Sequence, residues 1–197
     1  MSNKKPTKQN QLRIIGGQWR GRKLPFADIE GLRPTPDRVR ETLFNWLQPC
    51  IHGAHCLDLY AGSGALGLEA LSRGASEVIM LDTQNRITRQ LRENCQLLKC
   101  DQAKIYSQSA LDFLAHAAPH PVSIAFIDPP YRKQLVEPSC RLLEENGWLT
   151  PGAMIYIEVE KELSSLPVPA NWEILRSKQA GQVSYHLLQR HANEESA

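Results

Sequence analysis

Residues 56–71, CLDLYAGSGALGLEAL, constrain the fold of this chain more than any other stretch. An apolar run of strand character leads through Asp58 to Gly62, Gly64 and Gly67, spaced G-x-G-x-x-G, and an apolar helical stretch follows. Glycines at this spacing allow a tight strand-to-helix turn and close approach of a ligand to the backbone, and a helix N-terminus presents unpaired N–H groups. The next apolar strand, VIMLD (78–82), closes on Asp82. Strand, turn, helix and strand make a β-α-β unit, which requires a parallel sheet with a right-handed crossover.

The alternation continues. Apolar strand candidates at 55–60, 77–82, 103–106, 122–127 and 153–159 enclose helix candidates near 64–73, 84–99, 110–116 and 134–146. Near-continuous apolar strands separated by helices predict an α/β fold, a doubly wound sheet covered on both faces. WEILRSKQ and QVSYHLLQR flank Ala180-Gly181 too closely for a helix, so they predict an antiparallel hairpin. Upstream, LRPTPDRVRETLFNWL predicts a helix capped by Thr35 or Asp37, with Pro36 in its first turn and Val39, Leu43, Phe44 and Leu47 on one face. We divide the chain into an N-terminal extension (1–50), an α/β domain (51–190) and a polar tail (191–197).

Charge is unevenly spread. Residues 1–24 hold seven bases (Lys4, Lys5, Lys8, Arg13, Arg20, Arg22 and Lys23) and no acid, so with +2 overall the remainder carries −5. A basic arm on a mildly acidic body predicts a polyanionic partner. RIIGGQWRGRKL (13–24) interleaves apolar residues with its bases and is expected to be ordered. Five cysteines without a C-x-x-C fit a reduced, cytoplasmic setting, and no apolar run of 18 residues predicts a membrane span.

The acids point to a ligand. Asp82, ending the second strand, is placed to accept hydrogen bonds from ribose hydroxyls. Asp58 precedes the glycines at the end of the first strand, where a carboxylate suits a cationic ammonium and sulfonium and repels a pyrophosphate. S-adenosylmethionine is therefore favoured over a dinucleotide.

AFIDPPYRK (125–133) ends another buried strand abruptly. Two prolines cannot continue a ladder, because each lacks an N–H. In a doubly wound sheet this strand lies beside the first, at the switch point where ligands bind. An exocyclic base amine is a poor nucleophile, its lone pair being delocalised into the ring. The Asp128 carboxylate and the Pro129 carbonyl can grip its two N–H groups, turn the lone pair toward a methyl donor and stabilise the charge that develops. Pro130 stiffens the loop, Tyr131 offers a ring for stacking an extruded base, and Arg132 and Lys133 lie where flanking phosphates pass.

DLYAGSG with DPPY resembles the class I S-adenosylmethionine-dependent amino-methyltransferases. Together with RIIGGQWRGRKL and RPTPDRVRETLFNWL, these motifs resemble the bacterial 16S rRNA guanine-N2 methyltransferases of the RsmD type, over roughly residues 12–190. The resemblance implies a Rossmann-like sheet of seven strands with the last antiparallel, S-adenosylmethionine as donor, and a guanine of 16S rRNA in the assembled small ribosomal subunit as acceptor. By motif position it carries Asp58, Tyr60, Gly62, Gly64, Gly67 and Asp82 to the cofactor, and Asp128, Pro129, Pro130 and Tyr131 to catalysis. Tyr60 departs from the glycine common in the wider class. Ser109 stands where an acid often meets the adenine amine, with Asp112 the alternative. Arg13, Arg20, Arg22, Lys23, Arg38, Arg132 and Lys133 are the RNA-contacting candidates.

Other clusters are read as structural. CIHGAHC (50–56) has no zinc-like spacing, and Pro119 and Pro121 break any helix that would align His116 with His120, so no metal is expected. Arg86, Arg89 and Arg92 are read by default as a solvated helix face, with contact to substrate phosphate at its N-terminal end as the alternative, and a monomer is expected. A DNA amino-methyltransferase and a non-catalytic rRNA-binding assembly factor are the alternatives. The first needs extra mass to read a duplex groove, and the intact DPPY tetrapeptide speaks against the second.

Overall fold

The computed structural model of the chain describes residues 10–29, 34–163 and 165–192. Lys4, Lys5 and Lys8 of the basic arm and residues 193–197 of the tail lie outside the described residues. From the N-terminus, β1 (Gln11–Arg13) and β2 (Lys23–Pro25) pair antiparallel in a small hairpin of their own. Helix α1 (Asp37–Leu47) follows. The main body then runs β3 (His55–Asp58), α2 (Gly67–Ser72), β4 (Glu77–Asp82), α3 (Asn85–Leu98), β5 (Ala103–Ser107), α4 (Ala110–Leu114), β6 (Val122–Ile127), α5 (Val136–Glu145), β7 (Leu149–Glu160), β8 (Trp172–Ala180) and β9 (Val183–Arg190).

Seven strands form one sheet in the order β5-β4-β3-β6-β7-β9-β8. The first five are parallel, and β9 enters antiparallel between β7 and β8. The order reverses between β3 and β6, so Asp58 and Asp128 leave neighbouring strand ends, as the doubly wound reading requires. Strand alternation sorts the core into two clusters, one on each face. Phe44, Leu68, Met80, Phe126 and Tyr156 fill one, and Leu57, Leu81, Ile127, Trp148 and Ile157 fill the other. The N-terminal hairpin is no loose appendage, because Leu12, Ile14, Leu24 and Phe26 belong to the first cluster.

Two local expectations are corrected. Neither Thr35 nor Asp37 caps α1. Pro36 holds the cap position, and no side chain bonds the first turn. Thr35 instead reaches Asp128, and the Asp37 carboxylate is taken by Arg13 and Arg40. Strand β7 begins at Leu149, ahead of 153, although Pro151 and Gly152 follow. The register slips between the Val122–Leu149 and Ile124–Met154 pairs, and the slip takes both breakers out of the β6 ladder.

Candidate active site

The glycine turn is built around two carboxylates. The Gly67 N–H donates to Asp58 Oδ2 at 3.0 Å, so the buried acid is held by the first turn of α2. A Cβ on Gly67 would lie 2.6 Å from Met80 Sδ, which explains the third glycine as a packing requirement of helix on sheet. Gly64 adopts a left-handed φ of +80° and leaves no room for a side chain against Leu91 and Leu68. Asp82 accepts from the Gly62 N–H at 3.2 Å and the Gln84 N–H at 2.8 Å. Burial drives the Asp58 carboxyl up from 3.8 to about 7. The Gly67 and Tyr60 N–H groups oppose the rise, and the Asp82 charge adds to it. Asp82 is raised too, by burial, against the same two N–H groups that bind it.

The remaining cofactor candidates flank these acids. The Gln108 N–H donates to the Asp82 carbonyl at 3.1 Å, which brings the loop carrying Ser109 alongside. Ser109 itself caps α4 by accepting from the Asp112 N–H at 3.5 Å. Asp112 is exposed. Tyr60 is half-buried and its hydroxyl bonds Ser139 Oγ of α5 at 2.8 Å, so the ring rather than the hydroxyl is left to face a ligand.

On the other side of the switch point, Asp128 follows the last residue of β6. Thr35 Oγ1 donates to Asp128 Oδ2 at 3.4 Å across 93 residues of sequence. Pro129 is buried, whereas Pro130 and Tyr131 are exposed. The Tyr131 hydroxyl donates to Glu158 Oε1 at 3.3 Å, and the Tyr156 hydroxyl donates to Glu158 Oε2 at 2.8 Å. Arg132 sits at a left-handed φ of +59°, with its N–H donating to Glu160. Burial, then the charges of Glu158 and Asp58, push the Asp128 carboxyl well above the usual carboxylate range, and the Thr35 bond works the other way. Burial also raises Glu158, against its two tyrosine donors. Asp58, Asp82, Asp128 and Glu158 therefore gather four carboxyl groups at the C-terminal ends of β3, β4, β6 and β7, a set of acids that suits a cationic ligand.

The basic candidates fall into two groups. Arg38, in the first turn of α1, is three residues from Thr35, and Arg132 and Lys133 follow the tetrapeptide, so these three are close along the chain to Thr35 and Asp128. The hairpin tip lies elsewhere. Its Trp19 N–H donates to Ser72 Oγ at 3.0 Å and Arg22 Nη2 donates to the Leu97 carbonyl at 3.1 Å. Ser72 and Leu97 lie at the C-terminal ends of α2 and α3, helices that run back from the strand termini bearing Asp58 and Asp82. Arg20, Arg22 and Lys23 therefore sit toward the opposite ends of the strands. Arg13 is paired with Asp37 at 2.7 Å.

Three residues escaped the sequence reading. Glu69, fully buried in α2, accepts from the Ile15 and Gly16 N–H groups at 2.8 Å each and from Arg73 Nε at 2.7 Å. Arg40, buried in α1, reaches Glu69, Asp37 and the carbonyls of Thr35 and Arg13. It joins the hairpin, α2 and the loop that touches Asp128. Glu158 is the third. Each left a signal, a charge on an otherwise apolar stripe: Arg40 with Leu43, Phe44 and Leu47, Glu69 within GLEAL, and Glu158 within MIYIEV.

The family described as Conserved hypothetical protein 95 matches residues 12–189. The chain belongs to that family. Over 187 residues it is 54% identical to Ribosomal RNA small subunit methyltransferase D of Escherichia coli strain K12, covering 94% of this chain and 93% of that one. The Haemophilus influenzae protein of the same name is 51% identical over 187 residues, 93% of this chain and 96% of that one. Among solved structures, Escherichia coli yhhF is 54% identical with a TM-score of 0.88, covering 93% of this chain and 100% of that one. An RNA methyltransferase of Salinibacter ruber, solved with S-adenosyl-L-homocysteine, shares the fold at 11% identity and a TM-score of 0.63, covering 84% of this chain and 98% of that one. The architecture is the class I methyltransferase sheet with a short N-terminal hairpin added.

Proposed function

We propose that this protein transfers a methyl group from S-adenosylmethionine to the exocyclic N2 amine of a guanine in the 16S rRNA of the small ribosomal subunit. Two adjacent strand ends carry this reading, one with Asp58 and the glycine turn, the other with Asp128-Pro129-Pro130-Tyr131. The names of the family relatives support rRNA as the acceptor.

The residues present fit the cofactor. Asp58 and Asp82 bring two carboxyl groups together, and a cationic ligand relieves their mutual repulsion; Gly64 and Gly67 let the turn pack tightly against Leu68, Leu91 and Met80, which sets Asp58 at its end. S-adenosylmethionine, when bound, supplies an electrophilic methyl group on a cationic sulfur. When it is bound, Asp82 would accept from its ribose hydroxyls, Asp58 would balance its methionine end beside Tyr60, and Ser109 would lie toward its adenine. Asp128 and the Pro129 carbonyl hold the two amine N–H groups and turn the nitrogen lone pair out of the ring plane. Asp128 stabilises the positive charge developing on nitrogen and receives the proton that leaves. Thr35 fixes the Asp128 carboxylate, and Tyr131 stacks on the base. No helix of the described residues is long and apolar enough to cross a membrane.

Purified protein and labelled S-adenosylmethionine should be offered small subunits from cells lacking the protein, naked 16S rRNA and duplex DNA, with products resolved by nucleoside mass spectrometry. We expect N2-methylguanosine, formed best in the assembled subunit. Label in DNA, or N6-methyladenine as product, would overturn the reading.

A further inference from the structure

Glu158 stands beside the candidate catalytic acid yet has no part in the mechanism above. The β6–β7 register pairs Ile127 with Ile157, so Asp128 and Glu158 are the next residues on two neighbouring parallel strands. Side chains at matched positions of such strands leave the sheet on the same face, and the strands run about 4.8 Å apart. The two carboxylates thus flank one another above Phe126 and Tyr156. Glu158 is 4% exposed and accepts from two phenols, Tyr156 beneath it and Tyr131 of the tetrapeptide loop. An acid buried next to another acid is a costly choice in a strand that is otherwise apolar, and packing would be served better by leucine or isoleucine.

We propose that Glu158 accepts the N1–H of the target guanine and so determines the base that is methylated; this rests on the guanine-N2 reading above. Guanine presents two donors side by side, the N2 amine and the ring N1–H. Adenine presents an acceptor, N1, beside its N6 amine. Two neighbouring carboxylates, Asp128 for the amine and Glu158 for the ring N–H, match the first edge and repel the lone pair of the second. The arrangement also explains the unequal phenols. Tyr156 is buried and donates at 2.8 Å, fixing the carboxylate. Tyr131 is 48% exposed and donates at 3.3 Å, a weaker bond that an entering base displaces, leaving its ring to stack.

The test uses small subunits reconstituted with guanine or with 2-aminopurine at the target. The analogue keeps the 2-amine but has an unprotonated N1. Wild-type protein should prefer guanine by at least about 100-fold in kcat/KM, since the analogue leaves Glu158 unpaired against a lone pair. In Glu158→Gln, guanine turnover should fall and the preference should narrow to less than about 10-fold, because the amide N–H₂ can donate to the bare N1. Tyr131→Phe should lower turnover while the preference stays as in wild type. A wild-type ratio near one overturns the proposal whether or not the variants fold. So does a Glu158→Gln protein that binds S-adenosylmethionine normally but slows on both substrates equally, which marks a purely structural role. Failure of wild-type protein to methylate guanine at all would instead sink the parent reading, and this inference with it.

Discussion

Asp128 and Asp58 are both pushed toward neutrality by burial, but they answer differently to substitution. Asp128→Ala removes one of the two acceptors that shape the amine, and we expect methyl transfer to fall by about 1000-fold or more. S-adenosylmethionine affinity, measured by calorimetry, should stay within about threefold, because Asp58 and Asp82 remain. The same variant relieves the repulsion with Glu158, so its thermal midpoint should rise. Asp58 links folding to pH. Its carboxyl titrates near 3.8 in an unfolded chain and at about 7 in the folded protein. Between these values the folded state holds a proton that the unfolded state has lost, so ligand-free stability declines as pH rises through that window. Asp58→Asn should make the fall of the thermal midpoint from about pH 4 to about pH 8 shallower, the rest being carried by Asp82, Asp128 and Glu158, and raise it at the alkaline end, while weakening cofactor binding by roughly 10-fold or more. In the native protein, cofactor affinity should grow as pH rises through about 7, where Asp58 ionises unaided.

Among the elements, the least expected arrangement is the docking of the β1–β2 hairpin on α2. Gly17 has a φ of +73°, and a Cβ there would lie 1.8 Å from the Ser72 carbonyl, so this turn is shaped to the end of α2. Glu69 holds the other end through two backbone N–H groups, Arg73 and Arg40. Glu69→Ala leaves Arg40 buried and short of a partner, and it should cost about 3–5 kcal/mol in chemical denaturation. Glu69→Gln, which keeps an acceptor, should cost distinctly less. The β-α alternation was legible in the sequence because apolar strands and the glycine turn are local signals. The hairpin was not, since strands of three residues give no period, and the partners of its connecting turn are an acid and a serine in a helix more than 50 residues away. Thr35 shows the same limit at the site. Its place before a helix reads as a cap, and only the folded chain brings Asp128 within its reach. The Asp128–Tyr131 tetrapeptide and the glycine turn stand out as candidates for the opposite reason, each being contiguous, whereas Glu158 becomes meaningful only through the β6–β7 register.

Across the whole molecule, the charges divide into the acids at the strand ends, the bases next to them along the chain (Arg38, Arg132 and Lys133, here the rim), and the more distant tip with Arg20, Arg22 and Lys23. Removing residues 1–24 would test the tip badly, because it also strips Leu12, Ile14 and Leu24 from the core. Charge-neutralising substitutions at the exposed positions separate the two effects. Replacing Arg132 and Lys133 by glutamine should weaken rRNA binding, and replacing Arg20 and Lys23 should do so independently, if a polyanion spans both regions. For each phosphate left without its cationic partner, the slope of log affinity against log salt should shrink by about 0.7–0.9. Rim substitutions should also lower kcat, since phosphates beside the flipped base position it, whereas tip substitutions should act on KM alone. An unchanged salt slope in the Arg20 and Lys23 variant would remove the tip from the RNA interface and confine recognition to the strand ends. Cofactor affinity, which the proposed function ascribes to Asp58 and Asp82, should be the same in every one of these variants.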